Sequence, residues 1–147
     1  MSVIVWDGKT LAADRRACVG TLIQTMTKIW AVNGALVGSV GTAVGGLEMR
    51  EWYRNGALPE EFPASQRDDV KSSNLLVILP NFTILKYEHA PYPIHITDAQ
   101  IAIGCGRDFA LAAMYLGKTA AEAVKVACLF DSGCGNGVDT LVHGEGI

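Results

Sequence analysis

The chain has 147 residues, 12 Lys and Arg against 15 Asp and Glu, a formal net charge of −3, and 50% apolar residues. Its length predicts one domain over residues 1–147, with a core that needs no disulfide or metal staple. The mildly acidic balance, without any Lys/Arg cluster, excludes a nucleic-acid footprint, and no apolar run reaches the ~20 residues of a membrane span.

The first residues lack the charged and apolar regions of a signal peptide, so the expected location is the cytoplasm, or the host cytoplasm for a viral chain. Cys18, Cys105, Cys128 and Cys134 are then expected to stay reduced. They form no C-x-x-C pair, and His89, His95 and His143 stand at no ligand spacing, so neither metal nor cofactor is expected.

Residues 3–6 (Val-Ile-Val-Trp) are apolar and β-favouring, Asp7-Gly8 supplies a two-residue turn, and residues 9–13 return. This predicts a hairpin with Ser2 at its root. Residues 15–27 are mixed and predict no regular element. Residues 28–32 predict a strand, Asn33-Gly34 a second hairpin turn, and residues 35–40 the return. The glycine-rich passage 38–46 leads into a helix carrying Val44, Leu47 and Trp52, with Asn55-Gly56 as its stop. Residues 57–74, charged and holding Pro59 and Pro63, read as a long connection with at most a short helical turn.

Strands are predicted at 75–79, 83–87 and 101–103, broken by Pro80-Asn81 and Ala90-Pro91. A helix over 109–116 stops at Gly117. A capping box, Thr119-Ala120-Ala121-Glu122, opens another helix through 130, turning Ala120, Val124, Ala127 and Cys128 inward. Residues 138–142 predict a closing strand. The order implies an α+β fold with helices layered on antiparallel sheets.

The glycine passage lacks the Gly-Lys-Ser/Thr ending of a P-loop and the GxGxxG spacing, which disfavours a nucleotide cradle. It reads either as a tight strand-to-helix turn or as a source of backbone N–H groups for an oxyanion. No GxSxG elbow occurs, and no histidine stands where a Ser/His/Asp triad would need it. Ser2 allows a different chemistry. Removal of Met1 would bare an α-amine that titrates near 7.7–8.0 and can serve as general base to its own hydroxyl. Such a nucleophile needs a nearby protonated lysine and a carboxylate to hold it, and Asp14 and Lys28 flank neighbouring strands. Read singly, Asp14 could equally pair with Arg15 or Arg16 at the surface, and Lys28 could be solvated.

Ordered motifs carry a resemblance. Met-Ser-Val-Ile-Val is similar to a Thr-Thr-Ile-Val start, Leu11-Ala12-Ala13-Asp14-Arg15 to "A-A-D-x-R", Thr27-Lys28-Ile29 to "K-K-V/I", and Leu36-Val37-Gly38-Ser39-Val40-Gly41 to "I-A-G-x-A-G". Ala102-Ile103-Gly104-Cys105-Gly106-Arg107-Asp108-Phe109-Ala110 resembles "A-I-G-S-G-x-x-F/Y-A", Lys118-Thr119-Ala120-Ala121-Glu122-Ala123-Val124 resembles "M-S-A-E-E-A-V", and Asp131-Ser132-Gly133-Cys134-Gly135 resembles "D-x-x-S-G". The chain thus resembles, nearly end to end, the proteasome β-subunit family, which includes the bacterial HslV peptidase.

The resemblance implies an N-terminal nucleophile hydrolase fold: a four-layer α-β-β-α sandwich of two antiparallel sheets, here with one helical layer trimmed at 57–74. It implies peptide-bond hydrolysis by Ser2, exposed by removal of Met1, within a homo-oligomeric ring. Asp14 would hold Lys28, Lys28 would tune Ser2, the Gly38 N–H would bind the oxyanion, and Cys105, Asp131 and Cys134 would position the α-amine. Peptides or unfolded proteins would be the substrates and an ATPase unfoldase a further partner, with no nucleic acid, membrane, metal or cofactor involved. The other reading is a non-catalytic ring or scaffold protein of the same fold. Serine stands for the family's threonine, losing the methyl that restricts χ1, and cysteines stand for both supporting serines, where a thiol is the weaker donor.

Overall fold

The computed structural model describes residues 2–144. The expected removal of Met1 lies outside the described residues. Strands β1 (Ile4–Trp6) and β2 (Thr10–Asp14) form the first hairpin, in register Ile4↔Ala13 and Trp6↔Leu11. Its turn is tied by Asp7, whose Oδ1 accepts the N–H groups of Lys9 (2.9 Å) and Thr10 (2.8 Å).

Residues 15–27 are more regular than their sequence predicts. They form an antiparallel pair, β3 (Arg16–Val19) and β4 (Leu22–Thr25), turned at Gly20 with φ 62°. Next, β5 (Ile29–Val32) and β6 (Ala35–Gly41) join through Asn33-Gly34, both with positive φ (52° and 78°) as a type I′ turn requires.

Helix α1 (Ala43–Arg54) starts at Thr42, whose hydroxyl accepts the Gly45 N–H (3.2 Å), and stops at Asn55. Gly46 has no Cβ because one would collide with the Ser39 side chain, its Cβ 3.1 Å away. Gly46 therefore serves close packing of α1 on β6, in line with the turn reading of that passage. Residues 57–74 hold two short 3₁₀ turns, Pro59–Glu61 and Ala64–Arg67.

Strands β7 (Ser73–Ile78), β8 (Ile84–Tyr87), β9 (Ile94–Ile96) and β10 (Ile101–Ile103) follow, of which β9 has no counterpart among the predicted elements. Helix α2 (Arg107–Tyr115) precedes α3 (Ala120–Phe130), whose predicted capping box is formed in both directions between Thr119 and Glu122. That reciprocal bond lowers the Glu122 carboxyl below its usual range. Strand β11 (Val138–Val142) closes the fold.

The strands form a sheet ordered β10-β1-β2-β11, the separate β3-β4 pair, and a sheet ordered β5-β6-β7-β8-β9. Period-2 alternation in β1 sorts its two faces. Ile4 and Trp6, with Leu11 and Ala13 of β2, pack against Ile29, Leu36, Leu76 and Ile78 of the second sheet. Val3, Val5 and Ala12 face Ala110 and Ala113 of α2 and Ala120, Val124 and Ala127 of α3. Cys128, expected inward with these, is only half-buried. On the far face of the second sheet, α1 buries Met49 and Trp52 against Val37, Leu75, Val77 and Tyr87. The Trp52 indole donates to the Leu58 carbonyl at 2.8 Å, anchoring the long connection to the helix.

Candidate active site

Ser2 sits where β1 begins, Asp14 ends β2, and Lys28 immediately precedes β5. The two sheets face each other, so these three positions converge at one end of the interface. All are buried: Ser2 is 4% exposed, Asp14 0% and Lys28 3%. The Lys28 ammonium donates to Ser2 Oγ at 3.0 Å and to Asp14 Oδ1 at 2.8 Å. Asp14 does not pair with Arg15, which turns to Asp139 (3.3 Å), so neither surface reading of these residues holds.

The Asp14 carboxylate is held from several sides. Its Oδ1 also accepts the Val3 N–H (3.1 Å), while Oδ2 accepts the N–H groups of Arg16 (3.2 Å) and Gly135 (3.1 Å). These bonds fix a buried anion, and the anion fixes the lysine. A cation 3.0 Å from a hydroxyl oxygen favours the deprotonated form of that hydroxyl, an arrangement suited to nucleophilic chemistry.

The Ser2 backbone is clamped by the segment after β10. Ser2 N donates to Cys105 Sγ (3.1 Å), Cys105 Sγ donates to Ser2 O (3.4 Å), and the Gly106 N–H donates to the same carbonyl (3.2 Å). Cys134 Sγ stands 3.9 Å from Cys105 Sγ. Ligand atoms of Cys105, Cys134 and Asp131 all lie within 4.8 Å of one another. Asp131 Oδ1 accepts the Gly133 N–H at 2.8 Å, shaping the loop that carries Cys134. Burial first, then the negative charge of Asp14 and the neighbouring Cys105, pushes the Cys134 thiol far above the ordinary thiol range, so it stays protonated at neutral pH.

Gly38 departs from its expected role. Ser39 N donates to the Lys28 carbonyl (3.1 Å), which makes Lys28 and Ser39 a hydrogen-bonded pair. Alternation along the strand then turns the Gly38 N–H away from β5 and toward β7, opposite Leu76. The amide is taken up by the sheet ladder, so an oxyanion must find another donor. Gly38 instead makes room between the sheets, where a Cβ would stand 3.0 Å from Ile4 Cδ1 and 3.1 Å from Ile29 Cγ2.

Three residues without a predicted role shape the site. Gly104 has φ 99°, and a Cβ there would press on the Ser2 carbonyl, 2.7 Å from its carbon. Gly135 lies under the Arg16 guanidinium, where a Cβ would meet Cζ at 2.6 Å. Arg16 is locked by bonds to the Ser132 carbonyl (2.8 Å) and Asn136 Oδ1 (3.1 Å). The sequence does carry a signal for this region, since both supporting cysteines are flanked by glycines, as Gly104-Cys105-Gly106 and Gly133-Cys134-Gly135. Gly104→Ala is expected to displace Ser2 from Lys28 and lower stability. The check is the urea midpoint; an unchanged midpoint would contradict the clamp.

A groove of about 390 Å³ is lined by Arg16, Ala17, Val19, Met26, Gly41 and Thr42, and meets the site at Arg16, whose backbone N–H donates to Asp14 Oδ2. It runs along β3, which pairs with β4 alone among the described strands.

No protein-family model and no curated protein matches the sequence. Solved structures do. BPH of Thiobacillus denitrificans is 22% identical, with 96% of each chain covered and a TM-score of 0.69. The same protein in complex with epoxomicin is 20% identical, with 97% of each chain covered and a TM-score of 0.72. Eukaryotic HslV from Trypanosoma brucei is 21% identical over 96% of this chain and 97% of that one, with a TM-score of 0.71. The chain therefore has the fold of the BPH and HslV proteasome-type subunits.

Proposed function

We propose that the chain is an N-terminal nucleophile peptidase in which Ser2, freed by removal of Met1, hydrolyses peptide bonds inside a homo-oligomeric ring. The observation that carries this reading is the buried Lys28 ammonium joining Ser2 Oγ to Asp14. Ser2 Oγ attacks the scissile carbonyl while the α-amine takes its proton and passes it to the leaving amine. Water then hydrolyses the acyl-serine ester and regenerates the site. An extended peptide adding to the β3 edge in the adjacent groove would present its backbone to Ser2.

The layers described above correspond in this reading to an α-β-β-α sandwich with α1 alone on its outer side. Self-association is supported by large apolar side chains at the ends of α2 and α3: Tyr115 is 88% exposed, Leu116 78%, Leu129 77% and Phe130 68%. A ring would cover them, and an ATPase unfoldase would feed it folded substrates.

The second reading, an inactive scaffold of the same fold, draws on Cys105 and Cys134 standing in place of serines. Intact mass, light scattering and a broad fluorogenic peptide set separate the two. The peptidase is expected to lack Met1, to assemble, and to cleave at least one peptide, with epoxomicin forming one adduct per chain at Ser2. A processed, assembled protein that cleaves nothing and takes no adduct is the scaffold.

A further inference from the structure

We propose that Cys105, Cys134 and Asp131 form a zinc-binding site whose fourth ligand is the Ser2 nitrogen. The two cysteines are 29 residues apart and lack ligand spacing in the sequence. The fold brings them together because α2 and α3 run out from β10 and back, delivering one Gly-Cys-Gly segment against the other. Gly106 is what admits the second thiol: a Cβ there would lie 2.9 Å from Cys134 Sγ.

The spacing fits an ion better than it fits a disulfide. Two thiolates bound at ~2.3 Å to a tetrahedral zinc stand about 3.8 Å apart. The observed separation is 3.9 Å. A disulfide would require the same atoms to close to about 2.05 Å. A carboxylate oxygen of Asp131 completes a cluster within 4.8 Å, giving the S, S, O donor set that suits zinc over calcium or magnesium. The Gly133 N–H on Asp131 Oδ1 is an outer-shell bond that orients this ligand. Cys105 is exposed, which gives an ion its entry path, and each thiol yields its proton to solvent as the ion binds.

The fourth position follows from Ser2 N, 3.1 Å from Cys105 Sγ. As an α-amine it offers a lone pair to the metal, and a metal-bound amine can no longer act as general base. Zinc would therefore hold the peptidase off and its removal would release it. The Ser2 ligand and this regulatory consequence rest on the proposed processing and peptidase activity; the Cys105, Cys134 and Asp131 ligands do not.

The test uses the full-length, reduced protein with Co²⁺ and Zn²⁺ as probes. One Co²⁺ per chain is expected, with tetrahedral visible bands and a thiolate-to-cobalt charge-transfer band, both abolished by Zn²⁺. Cys105→Ser, at an exposed position, should stay folded, lose most of the charge-transfer band, and bind more weakly by more than the ~10–100-fold that loss of an outer-shell partner costs. Asp131→Asn should keep the band and weaken binding. No charge-transfer band at excess Co²⁺, or a band undiminished in both Cys105→Ser and Cys134→Ser, overturns the site. On the processed protein, stoichiometric zinc should suppress hydrolysis and a chelator restore it; full hydrolysis with zinc bound overturns the Ser2 ligand. Cobalt bound by a chain that hydrolyses nothing supports the site and counts against the peptidase.

Discussion

Replacing Lys28 with methionine should lower the free energy of unfolding by about 3–5 kcal/mol and remove hydrolysis while leaving the fold recognisable by circular dichroism. Methionine fills much of the volume, so the loss is electrostatic. Asp14, fully buried, would keep its three backbone donors but lose the ammonium at 2.8 Å. Asp14→Ala should cost more. It would take the carboxylate from the buried ammonium and from the N–H groups of Val3, Arg16 and Gly135, at about 1–3 kcal/mol for each buried donor left unpaired. Such a sum approaches the ~5–15 kcal/mol total stability of an ordinary domain, so this variant is expected to accumulate poorly. Urea unfolding checks the order. A loss below ~1 kcal/mol for Lys28→Met, the worth of a surface ion pair, would contradict the burial of this pair.

Ser2→Ala should abolish hydrolysis in a protein that still folds and assembles. The hydroxyl accepts a hydrogen bond from the Lys28 ammonium at 3.0 Å, and bonds to charged groups contribute about 1.5–3 kcal/mol. The backbone clamp by Cys105 and Gly106 does not involve the hydroxyl and should persist. Ser2→Thr should retain or raise the rate, because the added methyl restricts χ1 and holds the hydroxyl nearer its attacking position. The checks are initial rates and light scattering on processed protein. Undiminished hydrolysis by Ser2→Ala would mean that another residue is the nucleophile.

The parts of the fold written in local chemistry were legible from the sequence. Asn33-Gly34 gave its hairpin because a two-residue turn of that type is dictated by its own residues, whereas the first hairpin turns one residue later than Asp7-Gly8 implies, at Gly8-Lys9, with Asp7 paired to Thr10. Thr119 and Glu122 gave the start of α3 because a capping box is local too. The β3-β4 pair escaped because β4 is exposed at every residue, so no buried face imposes an alternating pattern. β9 escaped for a related reason: it is three residues long, largely exposed, and preceded by Pro91 and Pro93.

At the site, motif resemblance located Ser2, Asp14 and Lys28, yet composition alone could not tell their buried cluster from surface charges. The direction of the Gly38 amide was beyond such reasoning. It depends on which residues of β6 face β5, and a shift of one residue in that ladder reverses it. The clamp on Ser2 by Gly104 and Gly106 joins segments about a hundred residues apart, and only the folded register of β1 on β10 brings them together.

The central claim is that Ser2 Oγ is the nucleophile, and rapid-quench mass spectrometry of the processed, assembled protein with an activated peptide ester tests it most directly. The account predicts one acyl group per chain, mapped to Ser2, formed faster than it is hydrolysed and absent from Ser2→Ala and Lys28→Met. No acyl-enzyme, or an acyl group carried by Cys105 in place of Ser2, would contradict it.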